Sequence, residues 1–107
     1  MGKKTAELTG AALDWAVAKC EGVINGDDLD IGFILERGYT PSTDWAQGGA
    51  IIERERITIE WEGDPDSWCA CIMADQEVYG PTPLIAAMRG YVAYKMGDEV
   101  EVPEELK

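Results

Sequence analysis

Residues 79–97, Tyr79-Gly-Pro-Thr-Pro-Leu-Ile-Ala-Ala-Met-Arg-Gly-Tyr-Val-Ala-Tyr-Lys-Met-Gly97, decide the fold, because they spell a helix together with its start and its stop. Thr82 offers a hydroxyl N-cap, Pro83 suits a first helical position where an N–H has no intrahelical partner, and Gly97 marks the end. Leu84, Ile85, Met88, Tyr91, Val92 and Met96 recur at helical spacing and form a core-facing stripe, with Arg89 and Lys95 expected off it. Ala86, Ala87 and Ala93 favour helix and admit a close neighbour, while Gly90 costs about 1 kcal/mol against alanine. Nothing on this helix is a catalytic device.

Toward the N-terminus the period changes to that of a strand. Ile57, Ile59 and Trp61 fall on one face and Thr58, Glu60 and Glu62 on the other, so residues 57–62 predict a half-buried strand. Gly63-Asp64-Pro65-Asp66 supplies a turn, and 67–74 returns with Trp68, Ala70 and Ile72 on one face and Cys69, Cys71 and Met73 on the other. Neither face carries charge, which predicts a central strand. Cys69 and Cys71 then share a side about 7 Å apart, too far for a relaxed disulfide. With no second cysteine pair for zinc, they read as packing thiols.

Residues 36–50 show no clear period. Pro41 and Gly48-Gly49 bound a short piece in which Ser42 or Thr43 caps one helical turn through Trp45, and Ile51 to Glu55 either begin a strand or close the loop with a helical turn. A long loop carrying Tyr39 and Trp45 is a place where function collects, although the preferred reading folds both rings inward as a lid on the core. Glu53, Arg54, Glu55 and Arg56 make a mixed-sign patch whose exposed ion pairs are each worth about 0–1 kcal/mol.

Further back, Asn25-Gly26 signals a hairpin turn between Val23-Ile24 and residues 31–35. Asp27, Asp28 and Asp30 fill the connection. Gly32 stands where calcium would need a third oxygen ligand, and Tyr39 where a bidentate glutamate would close the loop, so the trio is read as a solvated turn and no metal is expected. Thr9 reads as the N-cap of a helix over 10–21, with Leu13, Val17 and Cys20 on its inner side, Ala16 widening it, and Asp14, Lys19 and Glu21 pointing elsewhere. Leu8 is placed to staple onto Leu13 or its neighbour. Residues 1–8 form an N-terminal arm and 98–107 an acidic C-terminal tail, in which Val100 and Val102 add a short edge strand before Pro103 or else fray.

Composition narrows the chemistry. At 107 residues the chain is expected to be a single domain, 1–107, and no apolar run approaches the roughly 18 residues of a membrane span. Met1-Gly2-Lys3-Lys4 is followed by no apolar leader, and Ala6 stands where myristoylation favours a hydroxyl, so a soluble cytoplasmic protein is expected. Cys20, Cys69 and Cys71 are an odd set and are expected as free thiols. There is no histidine, which excludes His-based acid–base catalysis, Ser-His or Cys-His nucleophiles and His-containing zinc sites. No cofactor is implied. With 21 acidic against 9 basic residues the net charge is −12, which opposes direct binding to nucleic acid or anionic membranes. That charge suits solubility, or docking onto a basic protein surface.

Two segments carry a resemblance: Tyr39-Thr-Pro-Ser-Thr-Asp-Trp-Ala-Gln-Gly-Gly-Ala-Ile-Ile-Glu-Arg-Glu-Arg-Ile57, and Gly80-Pro-Thr-Pro-Leu-Ile-Ala-Ala-Met-Arg89 with Gly97-Asp-Glu-Val100. With the opening Leu8-Thr-Gly-Ala-Ala-Leu-Asp-Trp15, they resemble the small phage and prophage proteins of the NinX-like family over nearly the whole chain, apart from a variable stretch at 23–36. Ala50 departs from that pattern, where a proline would be expected. The resemblance implies a context, a bacteriophage accessory protein acting inside an infected bacterium, and brings no catalytic residues to carry over.

The predicted architecture is α+β: a small antiparallel sheet of about three or four strands, holding the 57–62/67–74 hairpin and strands from 23–35, with the 10–21 and 83–96 helices on one face. Ile59, Trp61, Ile72, Leu84, Met88 and Val92 are expected in the core. The expected function is non-enzymatic: binding and antagonising a host protein with a basic surface, a defence component or nucleic-acid-binding protein, by mimicry of nucleic acid or plain masking. The binding patch is expected at Tyr39, Asp44, Trp45, Glu53 and Glu55, with Glu62, Asp64 and Asp66 as the second choice, because affinity needs an aromatic anchor near acid. A homo-oligomer stays open. The alternative is a small enzyme or ligand-binding protein with its site in a 39–56 loop, using Asp44, Glu53 or Glu55 as base and Arg54 or Arg56 as anion clamp; it requires a pocket lined by Tyr39 or Trp45 with a buried carboxylate.

Overall fold

The structure, a computed structural model, describes residues 3–22, 38–63, 67–72, 76–102 and 106. The decisive helix forms as its sequence requires: Pro83–Met96, here α3, with Thr82 Oγ1 accepting from Ile85 N–H at 3.0 Å and Gly97 ending it. Every residue from Ala86 to Ala93 is buried, because α3 has a sheet on one side and two helices on the other. A helix covered all round has no solvent face to spare for a charge. Arg89, expected off the stripe, is therefore inside the fold.

The sheet is antiparallel in the order β2-β3-β4, formed by Thr58–Trp61, Trp68–Ile72 and Gln76–Gly80. The hairpin holds, with Ile59 opposite Ala70 and Trp61 opposite Trp68, and β3 is central as its two uncharged faces predict. The third strand comes from 76–80, a segment given no strand in the sequence reading. Its five residues are too few to show a period, and it becomes a strand by pairing with β3. The strands expected at 23–35, the acidic trio and the turn at Asp64 and Asp66 lie outside the described residues.

Trp61 corrects the expected core. It has the same parity as Ile59, but α3 lies chiefly over β3 and β4, so the end of β2 runs out beyond the helix and leaves Trp61 62% exposed. Ile59 is half-buried, whereas Ile72, Leu84, Met88 and Val92 are buried as expected.

The first helix, α1, is Gly10–Glu21, ended by Gly22 in the left-handed conformation. Leu8 is buried beside it, but Thr9 occupies the cap position without a side-chain bond. Asp14, expected to point outward, is 3% exposed because its carboxylate accepts the Ser42 N–H at 2.9 Å and ties the 40–43 turn to α1.

The expected 39–56 loop is instead a tight turn followed by a third helix, α2, Trp45–Glu55. Asp44, rather than Ser42 or Thr43, is the cap and accepts from Ala46 N–H at 2.9 Å. Gly48-Gly49 reads locally as a breaker, yet a Cβ at Gly48 would lie 2.3 Å from the Pro41 carbonyl and 2.6 Å from Leu84 Cδ1. The glycine is there so that α2 can press against that turn and α3.

The arm is corrected, and the edge strand expected at Val100 and Val102 forms in part, over Glu99–Val100. Lys3–Lys4, β1, pairs antiparallel with Glu99–Val100, β5, placing Lys3 opposite Val100. Thr5 reinforces the pair, its N–H donating to Asp98 O at 2.8 Å and its hydroxyl to Gly97 O at 2.7 Å. Val100, Val102 and Leu106 are buried, so apolar contact holds this part of the tail where its acidic composition suggested fraying.

Candidate functional site

The residues expected to form the first binding patch are spread along α2. Trp45 is 55% exposed at its start, while Tyr39 is half-buried and packs against the core. Asp44 is occupied as the cap and by Gln47 Nε2 at 2.9 Å; Gln47 also takes the Thr40 N–H and donates to Gly38 O, fixing the turn. Glu53 and Arg56 are exposed at the far end, about 12 Å from Trp45 along the helix axis. Beside Trp45 lies a shallow cleft of about 200 Å³, lined by Ser42, Thr43 and the start of α3 and by no carboxylate.

Arg54 and Glu55 belong to a separate cluster. Arg54 donates Nη1 and Nη2 to Glu21 at 2.9 and 2.5 Å, Nε to Glu55 at 2.8 Å, and Nη2 to the Tyr91 hydroxyl at 3.2 Å. Tyr91 in turn donates to Glu21. The Arg54 guanidinium holds the Glu21 carboxyl below its ordinary value, and Glu21, then Glu55, hold Arg54 above its own. Nearby, burial pushes the Cys20 thiol up to about 11 and the Tyr39 hydroxyl up to about 12. Burial also raises Asp14, against which Ser42 leans. Neutral thiol and phenol are the wrong forms for a nucleophile or base near pH 7. Among the described residues no group of three metal-type side chains converges.

Two places missed from sequence stand out. On β2, Trp61 lies 6.4 Å from Trp68 centroid to centroid at 34°, its base held while its body faces solvent; exposed Glu60 and Glu62 are its neighbours in sequence, on the other face of the strand. At the opposite edge of the sheet, an open cleft of about 870 Å³ runs between β4 and the N-terminal segment. Arg89 lines it, 9% exposed, with Nε donating to Leu8 O and Nη1 to Tyr79 O, each at 2.8 Å. Burial holds this guanidinium below its ordinary value. The rim carries Glu77, Asp98 and Glu99 against Lys4, and Tyr79 donates its hydroxyl to Glu77 at 2.9 Å, which pushes the phenol up to about 12. One signal for Arg89 was present: it is the only charge among residues 82–94, and a helix apolar on all sides buries whatever charge it has.

These features define a small acidic α+β protein with an exposed tryptophan at one sheet edge and a charged cleft at the other. The chain belongs to the family described as bacteriophage P22, NinX, whose profile matches residues 4–95, from β1 to the last turn of α3. It is thus a phage accessory protein, and the resemblance read from its two diagnostic segments holds. No curated protein matches it. No described helix is long and apolar enough to cross a membrane.

Proposed function

We propose that this phage accessory protein acts without catalysis, in the host cytoplasm, by occupying a basic surface of a host protein, a defence component or nucleic-acid-binding protein, with Trp61 as its anchor. The observation that carries the reading is a tryptophan 62% exposed at a sheet edge in a chain of charge −12. Large aromatic anchors concentrate binding energy, and surrounding charge sets approach and orientation. One of the nine basic residues, Arg89, is buried on backbone carbonyls, which leaves the outer surface slightly more acidic still. The alternative site in 39–56 is disfavoured because the cleft beside Trp45 has no lining carboxylate and Asp44, Arg54 and Glu55 are already engaged.

Capture from host lysate at rising salt tests this reading. A basic partner released by salt is the expected outcome. Trp61→Ala should weaken that complex by about 2 kcal/mol or more, mainly through faster dissociation, and Glu60→Gln with Glu62→Gln should chiefly slow association. Trp45→Ala, the anchor expected from sequence, should have the smaller effect. A neutral or acidic partner, or binding indifferent to ionic strength, would end the proposal.

A further inference from the structure

The cleft at β4 has features that the Trp61 surface does not explain. In an antiparallel ladder each residue turns its N–H and C=O toward one neighbour, and the next residue turns them the other way. The Tyr79 carbonyl receives Arg89 and so points away from β3; Glu77, two residues back, points the same way. Among the described residues, neither the Glu77 N–H and C=O nor the Tyr79 N–H meets a backbone partner. Such an edge is a template for one more strand.

Arg89 limits that template. By occupying the Tyr79 carbonyl it closes the edge, so an added strand must end there. Its Nη2 donates to no described residue, and no described carboxylate lies within ion-pair distance of it. Glu7 bears on it only through its longer-range field, and a buried cation so weakly countered is costly; an arriving carboxylate would relieve that cost with a charge-assisted bond. A chain entering with its amino end would instead bring ammonium against guanidinium. Around the mouth, Glu77, Asp98 and Glu99 outnumber Lys4 and favour a basic ligand.

We propose that this cleft takes the basic C-terminal end of a partner polypeptide as a strand parallel to β4, with Arg89 receiving the terminal carboxylate and the acidic rim receiving a lysine or arginine upstream of it. The cleft volume, about 870 Å³, suits a short peptide. The site is at the opposite sheet edge from Trp61 and stands or falls without it.

The full chain, immobilised through an internal site, is offered a pool of peptides about six residues long, mixing Lys, Arg, Val, Leu and Ile and ending in a free carboxylate. Retained peptides are then remade as C-terminal amides and as forms N-methylated at alternate residues. The free acid should bind about tenfold or more tighter than the amide, and N-methylation should abolish binding, because it removes backbone donors without touching charge. Hydrogen exchange at Glu77 and Tyr79 should slow when peptide is added. Glu99→Lys, at an exposed position, should weaken the basic peptides severalfold while leaving the fold intact. The assignment is overturned if no peptide is retained, if amide or N-methylated forms bind as well as the free acid, or if protection appears at β2 instead.

Discussion

Arg54 and Arg89 are treated in opposite ways. Arg54 has a half-exposed side chain and is nonetheless held by two carboxylates and a phenol, whereas Arg89 is buried and held by two backbone carbonyls alone. A protein with 21 acidic residues leaves its most buried described cation with no described carboxylate in ion-pair contact, only the longer-range field of Glu7. The acid excess is therefore no general bath of counterions. Solvent already screens Arg54, so its partners add geometry more than energy. Arg89 joins the chain at residue 8 to the chain at residue 79, and its remaining charge is directed at the cleft.

The contrast is open to four measurements. Arg89→Met should have the largest effect, about 2–4 kcal/mol in chemical denaturation, because it strands the buried Leu8 carbonyl and unpairs that of Tyr79. An effect near zero would mean that the carbonyls find water and that the buried charge was a liability. Arg54→Ala should cost about 1 kcal/mol, reflecting its exposure. A loss as large as that at Arg89 would erase the distinction. Acid titration gives a finer reading: Glu21 has a lowered folded pKa, so its contribution is full above the ordinary value of 4.5 and is lost as pH falls below it. Glu21→Gln should flatten that acid limb in melting curves recorded against pH. Smallest is Asp14→Asn. Asp14 has a raised folded pKa, so its contribution is full below 3.8 and is lost as pH rises through the raised value. An amide oxygen still accepts from Ser42, and neutral-pH stability should change by less than about 1 kcal/mol, in either direction.

The parts of this architecture legible in the sequence were those written locally. Thr82, Pro83 and Gly97 bound α3, and the alternation at 57–62 with the uncharged return made a hairpin with a central β3. What stayed hidden depends on distant partners. Gly48-Gly49 reads as a break until Pro41 and Leu84 are seen to demand it, and Asp14 reads as a surface residue until the Ser42 amide arrives from 28 positions away. Trp61 has core parity but lies where the helix no longer reaches. The candidate sites were less legible than the fold: of the residues expected to bind, Glu62 is next to the Trp61 surface, while Tyr39, Asp44 and Glu55 are engaged in structure. The β4 cleft needed the pairing of Lys3 with Val100 to exist at all.

That pairing sets residue 3 beside residue 100. Segments brought together in space can be joined and the chain reopened elsewhere, and exposed Gly63, after β2, is a natural place to cut. A circular permutant opened there should fold. Lys4 of β1 and Glu99 of β5 also line the cleft, so that ribbon is one of its walls. Whatever loosens the ribbon would therefore loosen a wall of that groove as well.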